Sequence, residues 1–254
     1  MNEEIKIRKR IASLVEVISR LVIPIYRYKG KLPEQIGSGF FIKIGPESIL
    51  VSAAHVINRC KNEELFFYIS PNSTRRISGY VKATDESDSD VAMVYFKEAP
   101  YPPFEAVDKQ ITPFKYLTPN RIPRENKHYI IVGFPSTKSI IRPKTKEAEV
   151  QIYAYHDYSS PKEEYAKLGL SSIDRIVLPL NLKKNYDSEL NVVHFPKPQG
   201  MSGSPIWEIF DNDTTALDSV DSLHLIGVGI EYHKNKKLLV GTDISYVLDM
   251  LKDS

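Results

Sequence analysis

Gly200-Met201-Ser202-Gly203-Ser204-Pro205 decides how the rest of this chain is read. A serine sits between two glycines, on a turn whose backbone can fold tightly and leave the Ser202 side chain exposed. Gly, Ser and Pro are also the ordinary residues of hairpin turns, so the hexapeptide alone fits a turn without chemistry. Two earlier stretches change that reading. Ser52-Ala53-Ala54-His55 ends an apolar run, and Asp90-Val91-Ala92-Met93-Val94 opens another. Together they supply what acyl transfer needs: a hydroxyl, a base to take its proton, an acid to orient the base, and backbone N–H groups facing one oxygen. His, then Asp, then Ser is one of the known chain orders of such a triad.

Three blocks, in this order, carry a family resemblance. They are Gly37-Ser38-Gly39-Phe40-Phe41-Ile42 with Ile49-Leu50-Val51-Ser52-Ala53-Ala54-His55-Val56, then Asp90-Val91-Ala92, then Gly200 to Pro205. On them the chain resembles the chymotrypsin-like (trypsin-fold) serine peptidases, in the branch of bacterial-type intracellular members with a nucleophile turn of this kind. The likeness runs from about Gln35 to about Val247. It implies an all-β fold of two antiparallel Greek-key β-barrels, with an N-terminal helix and a short C-terminal helix. Residues 1–30 are then a helical extension. Residues 31–115 form a first barrel with His55 and Asp90, and residues 116–254 a second barrel with Ser202.

Carried over position by position, the resemblance makes His55 the general base, Asp90 the orienting acid and Ser202 the nucleophile. The N–H groups of Gly200 and Ser202 become the oxyanion hole. Asp88 is the rival acid: in an extended segment it projects to the same side as Asp90, and the family pattern alone favours Asp90. Gly203 and Pro205 are scaffold of the turn, and Ser204 takes the motif's small-residue place. Zymogen-type relatives pair a freed N-terminal amine with an aspartate just before the nucleophile. Met201 stands there instead, so that switch is absent. The pocket walls fall near Phe195 to Gln199 and Gly227 to Tyr232, making Gly229, Ile230 and Glu231 the substrate-binding candidates. No acidic residue lies between Glu189 and Ser202, so a trypsin-like preference for Arg or Lys is unsupported unless Glu231 points inward.

Composition bounds the rest. The chain has 254 residues, 42% hydrophobic and 26% charged, an ordinary globular balance. A net charge of +2 creates no strong field for nucleic acid or an anionic membrane. Lys6, Arg8, Lys9 and Arg10 form one local basic cluster, which reads as a solvated helix face. Cys60 is the single cysteine, so no internal disulfide forms and a reducing compartment is expected. With no apolar signal segment at the start and Leu21 to Ile25 too short to span a bilayer, a cytoplasmic location is expected. His-Glu-x-x-His, paired Cys motifs and phosphate loops are missing from the sequence, and no metal or cofactor is expected.

Along the chain, Ile7, Ile11, Leu14, Val15, Ile18 and Leu21 recur at helical spacing, predicting an amphipathic helix over about Glu4 to Leu21 that Pro24 brings to an end. Its stripe suits packing on its own domain; docking of a partner is the alternative. Strands are expected at 37–44, 48–53, 65–69, 77–83 and 91–96, with a hairpin turn at Gly45-Pro46-Glu47. The proline-dense Ala99 to Phe104 reads as the start of a link between halves. Further strands are expected at 128–135, 149–155, 175–180, 190–195, 206–210, 223–232 and 237–242, then a helix at 245–252. Between these strands, the long Ile140 to Asn185 stretch, rich in charge and tyrosine, reads as containing surface loops that face substrate. The function expected is a serine endopeptidase acting on protein or peptide substrates, controlled by a regulatory protein partner or by its own loops. Two alternatives stand beside it. One is a latent or inactive trypsin-fold module that binds protein. The other is an esterase, against which the turn's lack of the Gly-x-Ser-x-Gly elbow counts.

Overall fold

The computed structural model describes residues 3–45, 47–58, 64–70, 73–96, 110–117, 122–142, 144–145, 147–182, 185–186, 192–209 and 224–252. Cys60, the Ala99 to Phe104 link and the side chains of Lys6, Arg8, Lys9 and Arg10 lie outside the described residues. The chain opens with α1 (Glu3–Ser19). Ile11 and Ile18, two turns apart on one face, are buried among strands of both sheets. The helix thus covers its own domain with its apolar stripe, as amphipathic helices usually do.

β1 (Val22–Lys29) follows α1 almost at once, ahead of the first strand expected at Gly37. α1 ends at Ser19, before Pro24 is reached, and Pro24 sits inside a strand. β1 pairs with β2 (Leu32–Ile44) along its length, whereas its other edge meets β4 (Leu65–Ser70) only at Tyr26 and Arg27. A proline is tolerated where a strand has a free edge. β3 (Glu47–Ala53) returns from β2 with Ile44 opposite Glu47, so the expected hairpin is present. After α2 (Ala54–Asn58) and β4 come β5 (Ser73–Arg76), β6 (Tyr80–Ala83), β7 (Val91–Tyr95) and β8 (Thr112–Pro113). Where one strand was expected at 77–83, Gly79 separates β5 from β6; a Cβ there would stand 1.9 Å from the Tyr95 carbonyl oxygen. The first sheet runs β5-β4-β1-β2-β3-β7-β6, with β8 alongside β2.

β3 and β7 are buried on both faces. Ile49, Val51, Val91 and Met93 enter one apolar cluster, and Leu50, Ala53, Ala92 and Val94 another. That is why both read as continuous apolar runs rather than alternating ones.

The second sheet is built from β9 (His128–Gly133), β12 (Tyr153–Tyr158), β13 (Arg175–Pro179), β16 (Pro205–Glu208), β17 (His224–His233) and β18 (Leu238–Asp243), in the order β12-β9-β16-β17-β18-β13. Two small hairpins stand apart, β10 (Ser139–Ile141) with β11 (Ala148–Val150) and β14 (Asn185–Tyr186) with β15 (Val192–Val193). Besides the strands expected there, the 140–185 stretch holds α3 (Lys162–Leu168), whose Tyr165 is buried and accepts the Val177 N–H with its hydroxyl oxygen at 2.9 Å. Burial pushes that phenol up to about 12. α4 (Ser245–Lys252) closes the chain as expected. The result is the two-barrel, mostly β architecture that the resemblance implies. No helix among the described residues is long and apolar enough to cross a membrane.

One buried ion pair anchors the second sheet. Arg124, fully buried, donates through Nη2 and Nε to Asp243 Oδ2 at 2.6 and 2.8 Å. Asp243 Oδ1 accepts the Ser245 N–H at 2.9 Å, fixing the start of α4. Removing one member of a buried pair strands the other, at a cost of about 3–5 kcal/mol. Asp243→Ala is expected to lower the urea midpoint by that equivalent. Glu16→Gln, which breaks an exposed pair with Arg20, should move it by less than about 1 kcal/mol.

Candidate active site

Ala53 on β3 lies opposite Val91 on β7, so the residues following one strand and preceding the other meet at one end of the first sheet. His55 is the second residue of α2, and Asp90 immediately precedes β7. Asp90 Oδ2 stands 2.6 Å from His55 Nδ1, and Asp90 Oδ1 accepts the His55 backbone N–H at 2.8 Å. The Asp90 carbonyl accepts the Ala54 N–H at 2.9 Å. A carboxylate at Nδ1 puts the ring proton there and leaves Nε2 as the basic nitrogen.

Asp90 reaches this position from a turn, not from an extended segment. The Asp85 carbonyl accepts the N–H groups of Asp88, Ser89 and Asp90 at 3.0–3.1 Å. Asp90 then adopts φ 53°, a left-handed conformation that Asp tolerates better than most residues. Because the segment curls, Asp88 does not share Asp90's direction. Its side chain is 66% exposed and lies 3.8 Å from Arg175, and the Asp88 alternative has no contact with His55.

The nucleophile turn hangs between β15 and β16 and is held from the first sheet. Ser38 donates its N–H to the Ser202 carbonyl and its Oγ to the Gly200 carbonyl, both at 2.8 Å. Ser52 Oγ donates to the Ser38 carbonyl at 2.8 Å. These bonds give Gly37-Ser38-Gly39 a task that sequence reading missed: it cradles the turn. A Cβ on Gly203, at φ 91°, would lie 2.0 Å from the Ser38 oxygen. The N–H groups of Met201, Gly203 and Ser204 are taken up by the carbonyls of Pro198, Gly229 and Met201. Those of Gly200 and Ser202 make no hydrogen bond among the described residues. Two unengaged donors flanking one residue are the arrangement an oxyanion needs.

Gly200 has φ 90°, and a Cβ there would stand 2.7 Å from the Ser136 nitrogen and 2.9 Å from the Phe134 oxygen. Gly200→Ala must therefore swing its N–H away. The expected result is a kcat loss of about 10²–10³ with little change in KM, read from steady-state hydrolysis of an activated peptide ester.

Ser204 is fully buried, its Oγ against Gly133, and is closed to any substrate. Ser202, by contrast, lines a cleft of about 830 Å³ together with His55, Asp90 and Gly200. The substrate-binding candidates Gly229, Ile230 and Glu231 line it too. Its floor is apolar: Ile131, Met201 and Leu239 are almost fully buried and continue into the second barrel's core. Met201 thus fills with a side chain the place where a carboxylate would otherwise receive an amine. The Glu231 carboxylate is 59% exposed and pairs with His233 at 3.1 Å, at the rim rather than the floor. Of the 140–185 stretch expected to face substrate, Leu182 lines the cleft. Strands β1 and β2 contribute Arg27 and Glu34, paired at 2.8 Å. Partial burial works to raise the Glu34 carboxyl, but hydrogen bonds from Arg27 and Lys29 outweigh it and hold the group below the usual carboxylate range.

Two β-barrels with a histidine–aspartate pair and a serine turn on one cleft define the class of two-barrel serine peptidases. The chain belongs to the trypsin-like peptidase domain family, whose model matches residues 37–215. Among solved structures it is similar to the thermostable serine protease AL20 from an extremophilic microorganism, at 11% identity and a TM-score of 0.54, covering 91% of this chain and 95% of that one. It is also similar to the serine protease domain of the Sesbania mosaic virus polyprotein, at 14% identity and a TM-score of 0.48, covering 91% of each chain. A comparison with curated proteins found no match. The protein is a serine-type peptidase by family.

Proposed function

We propose that the protein is a serine endopeptidase that cleaves protein substrates through a Ser202-His55-Asp90 triad and an acyl-enzyme. Ser202 Oγ attacks the scissile carbonyl carbon while His55 Nε2 takes its proton. The carbonyl oxygen becomes an oxyanion held by the N–H groups of Gly200 and Ser202. Collapse expels the amine, which receives the proton from His55, and leaves an ester on Ser202. A water activated by the same nitrogen then hydrolyses the ester. Asp90 fixes the imidazole tautomer and stabilises its cation. The observation that carries this reading is the joint presence on one cleft of the 2.6 Å His55–Asp90 contact, Ser202 and two unengaged N–H donors.

The substrate backbone is proposed to lie along Gly229 to Glu231. There the β17–β18 register slips, so that Gly229 faces Gly241 and Glu231 faces Val240, leaving Ile230 out of the ladder. Bulges of this kind re-aim strands beside active sites. The test is labelling with a fluorophosphonate, which traps activated serines. An adduct on Ser202, located by peptide mass spectrometry and absent from Ser202→Ala, is expected. A folded parent that takes no label, or that carries it on another serine, would overturn the assignment.

A further inference from the structure

Asp90 belongs to the first sheet, yet the turn that presents it is anchored from the second. Arg175 on β13 and Thr242 on β18 are direct partners across that antiparallel pair. Their side chains therefore stand on the same face of the sheet. Both reach the Asp85–Asp90 turn, at consecutive carbonyls. Arg175 Nη2 donates to the Asp88 oxygen, and Thr242 Oγ1 donates to the Ser89 oxygen at 2.5 Å. Thr242 is fully buried and Arg175 nearly so. Arg175 is itself fixed: its Nη1 donates to the Asp174 carbonyl at 3.2 Å, and its guanidinium lies 5.8 Å from the centre of the Tyr246 ring.

These bonds constrain the peptide plane that precedes Asp90. Its carbonyl is held by Thr242, while the carbonyl that follows is held by the Ala54 N–H at 2.9 Å. Rotation about the Asp90 N–Cα bond is pinned from both sides, at a φ of 53° that non-glycine residues seldom adopt. In that conformation the carboxylate meets both the backbone N–H and the Nδ1 of His55. We propose that Arg175 and Thr242 are positioning residues for Asp90. The barrel that carries the serine thereby sets the orientation of the acid carried by the other, so the triad assembles only when the two sheets are in register. This inference rests on the triad reading above.

Thr242→Val removes the donor and keeps the shape, whereas Thr242→Ser keeps the donor. The valine variant is expected to lose about 10- to 100-fold in kcat with KM changed by no more than about twofold, as one buried carbonyl loses its partner. The serine variant should restore kcat. Arg175→Gln, with Thr242 intact, should show the same split, and thermal melting of each variant confirms that it is folded. A second readout needs no turnover. The His55 Nδ1 proton, in a short bond to a carboxylate, gives a far-downfield proton resonance that His55→Ala identifies by its loss. It should shift or broaden in Thr242→Val and persist in Thr242→Ser. Parental kcat and an unmoved resonance in the valine variant would overturn the proposal, as would equal losses in the valine and serine variants. A parent without peptidase activity counts against the triad reading instead, and the resonance still decides the positioning role.

Discussion

Ser202→Ala is expected to abolish peptide hydrolysis, lowering kcat by about 10⁶ while leaving the fold and substrate affinity in place. The magnitude follows from what alanine removes. Without Oγ no acyl-enzyme forms, and only the Gly200 and Ser202 N–H groups and the cleft walls remain to favour the transition state. His55→Ala is expected to fall as far, because an unactivated hydroxyl is a poor nucleophile at neutral pH. The double variant should then be no worse than either single one, since the two residues act as a unit. Ser204→Ala supplies the contrast. Its hydroxyl is buried against Gly133 and closed to substrate, so turnover should stay near parental. Progress curves on an unfolded protein substrate, followed by amine release, measure all four. Additive losses in the double variant would mean that His55 does not act through Ser202.

The parts of this molecule that were legible in the sequence are those in which local chemistry and packing agree. α4 was expected at 245–252 and occurs there, because its apolar face repeats at helical spacing and buries Val247, Leu248 and Met250. β3 and β7 were legible as unbroken apolar runs because both of their faces are covered. His55, Asp90 and Ser202 were singled out because small residues and glycines surround them in a recognisable order. The structure brings all three to one cleft.

Most of what escaped reading depends on partners remote in sequence. β1 was missed because Pro24 argues against a strand in general, and only the free edge beside it makes the proline tolerable. The acidic run before Asp90 read as a break between strands, but its curl, in which the Asp85 carbonyl gathers three nearby N–H groups, leaves no mark in apolar periodicity. Ser38 resembled a motif residue with no task, since its acceptor at Gly200 lies on the other barrel. Arg175 and Thr242 sit on strands that read only as apolar core, and their connection to Ser89 and Asp88 exists only once the sheets meet. For Ser38, Arg175 and Thr242 the deciding contact is long-range and polar, which periodicity does not encode.

Asp90→Asn is the sharpest test of how the imidazole is held. Asparagine matches aspartate in size and keeps an oxygen for the His55 backbone N–H, which Asp90 Oδ1 accepts at 2.8 Å. The atom facing Nδ1 at 2.6 Å then becomes an NH₂ donor in place of an acceptor. The ring responds by moving its proton to Nε2, the nitrogen required to be basic, and the cation formed during attack loses its counter-charge. A loss of about 10⁴ in kcat is expected, smaller than that of Ser202→Ala, because the oxyanion donors and the nucleophile remain. Labelling by the fluorophosphonate should slow in parallel, and the thermal midpoint should stay near parental, since the geometry around residue 90 is retained. Asp88→Asn, at an exposed carboxylate that does not touch His55, should leave both rates unchanged. If the two substitutions exchanged effects, the orienting acid would be Asp88. If neither slowed the enzyme, His55 would be working without a carboxylate partner, and the 2.6 Å contact would serve the fold alone.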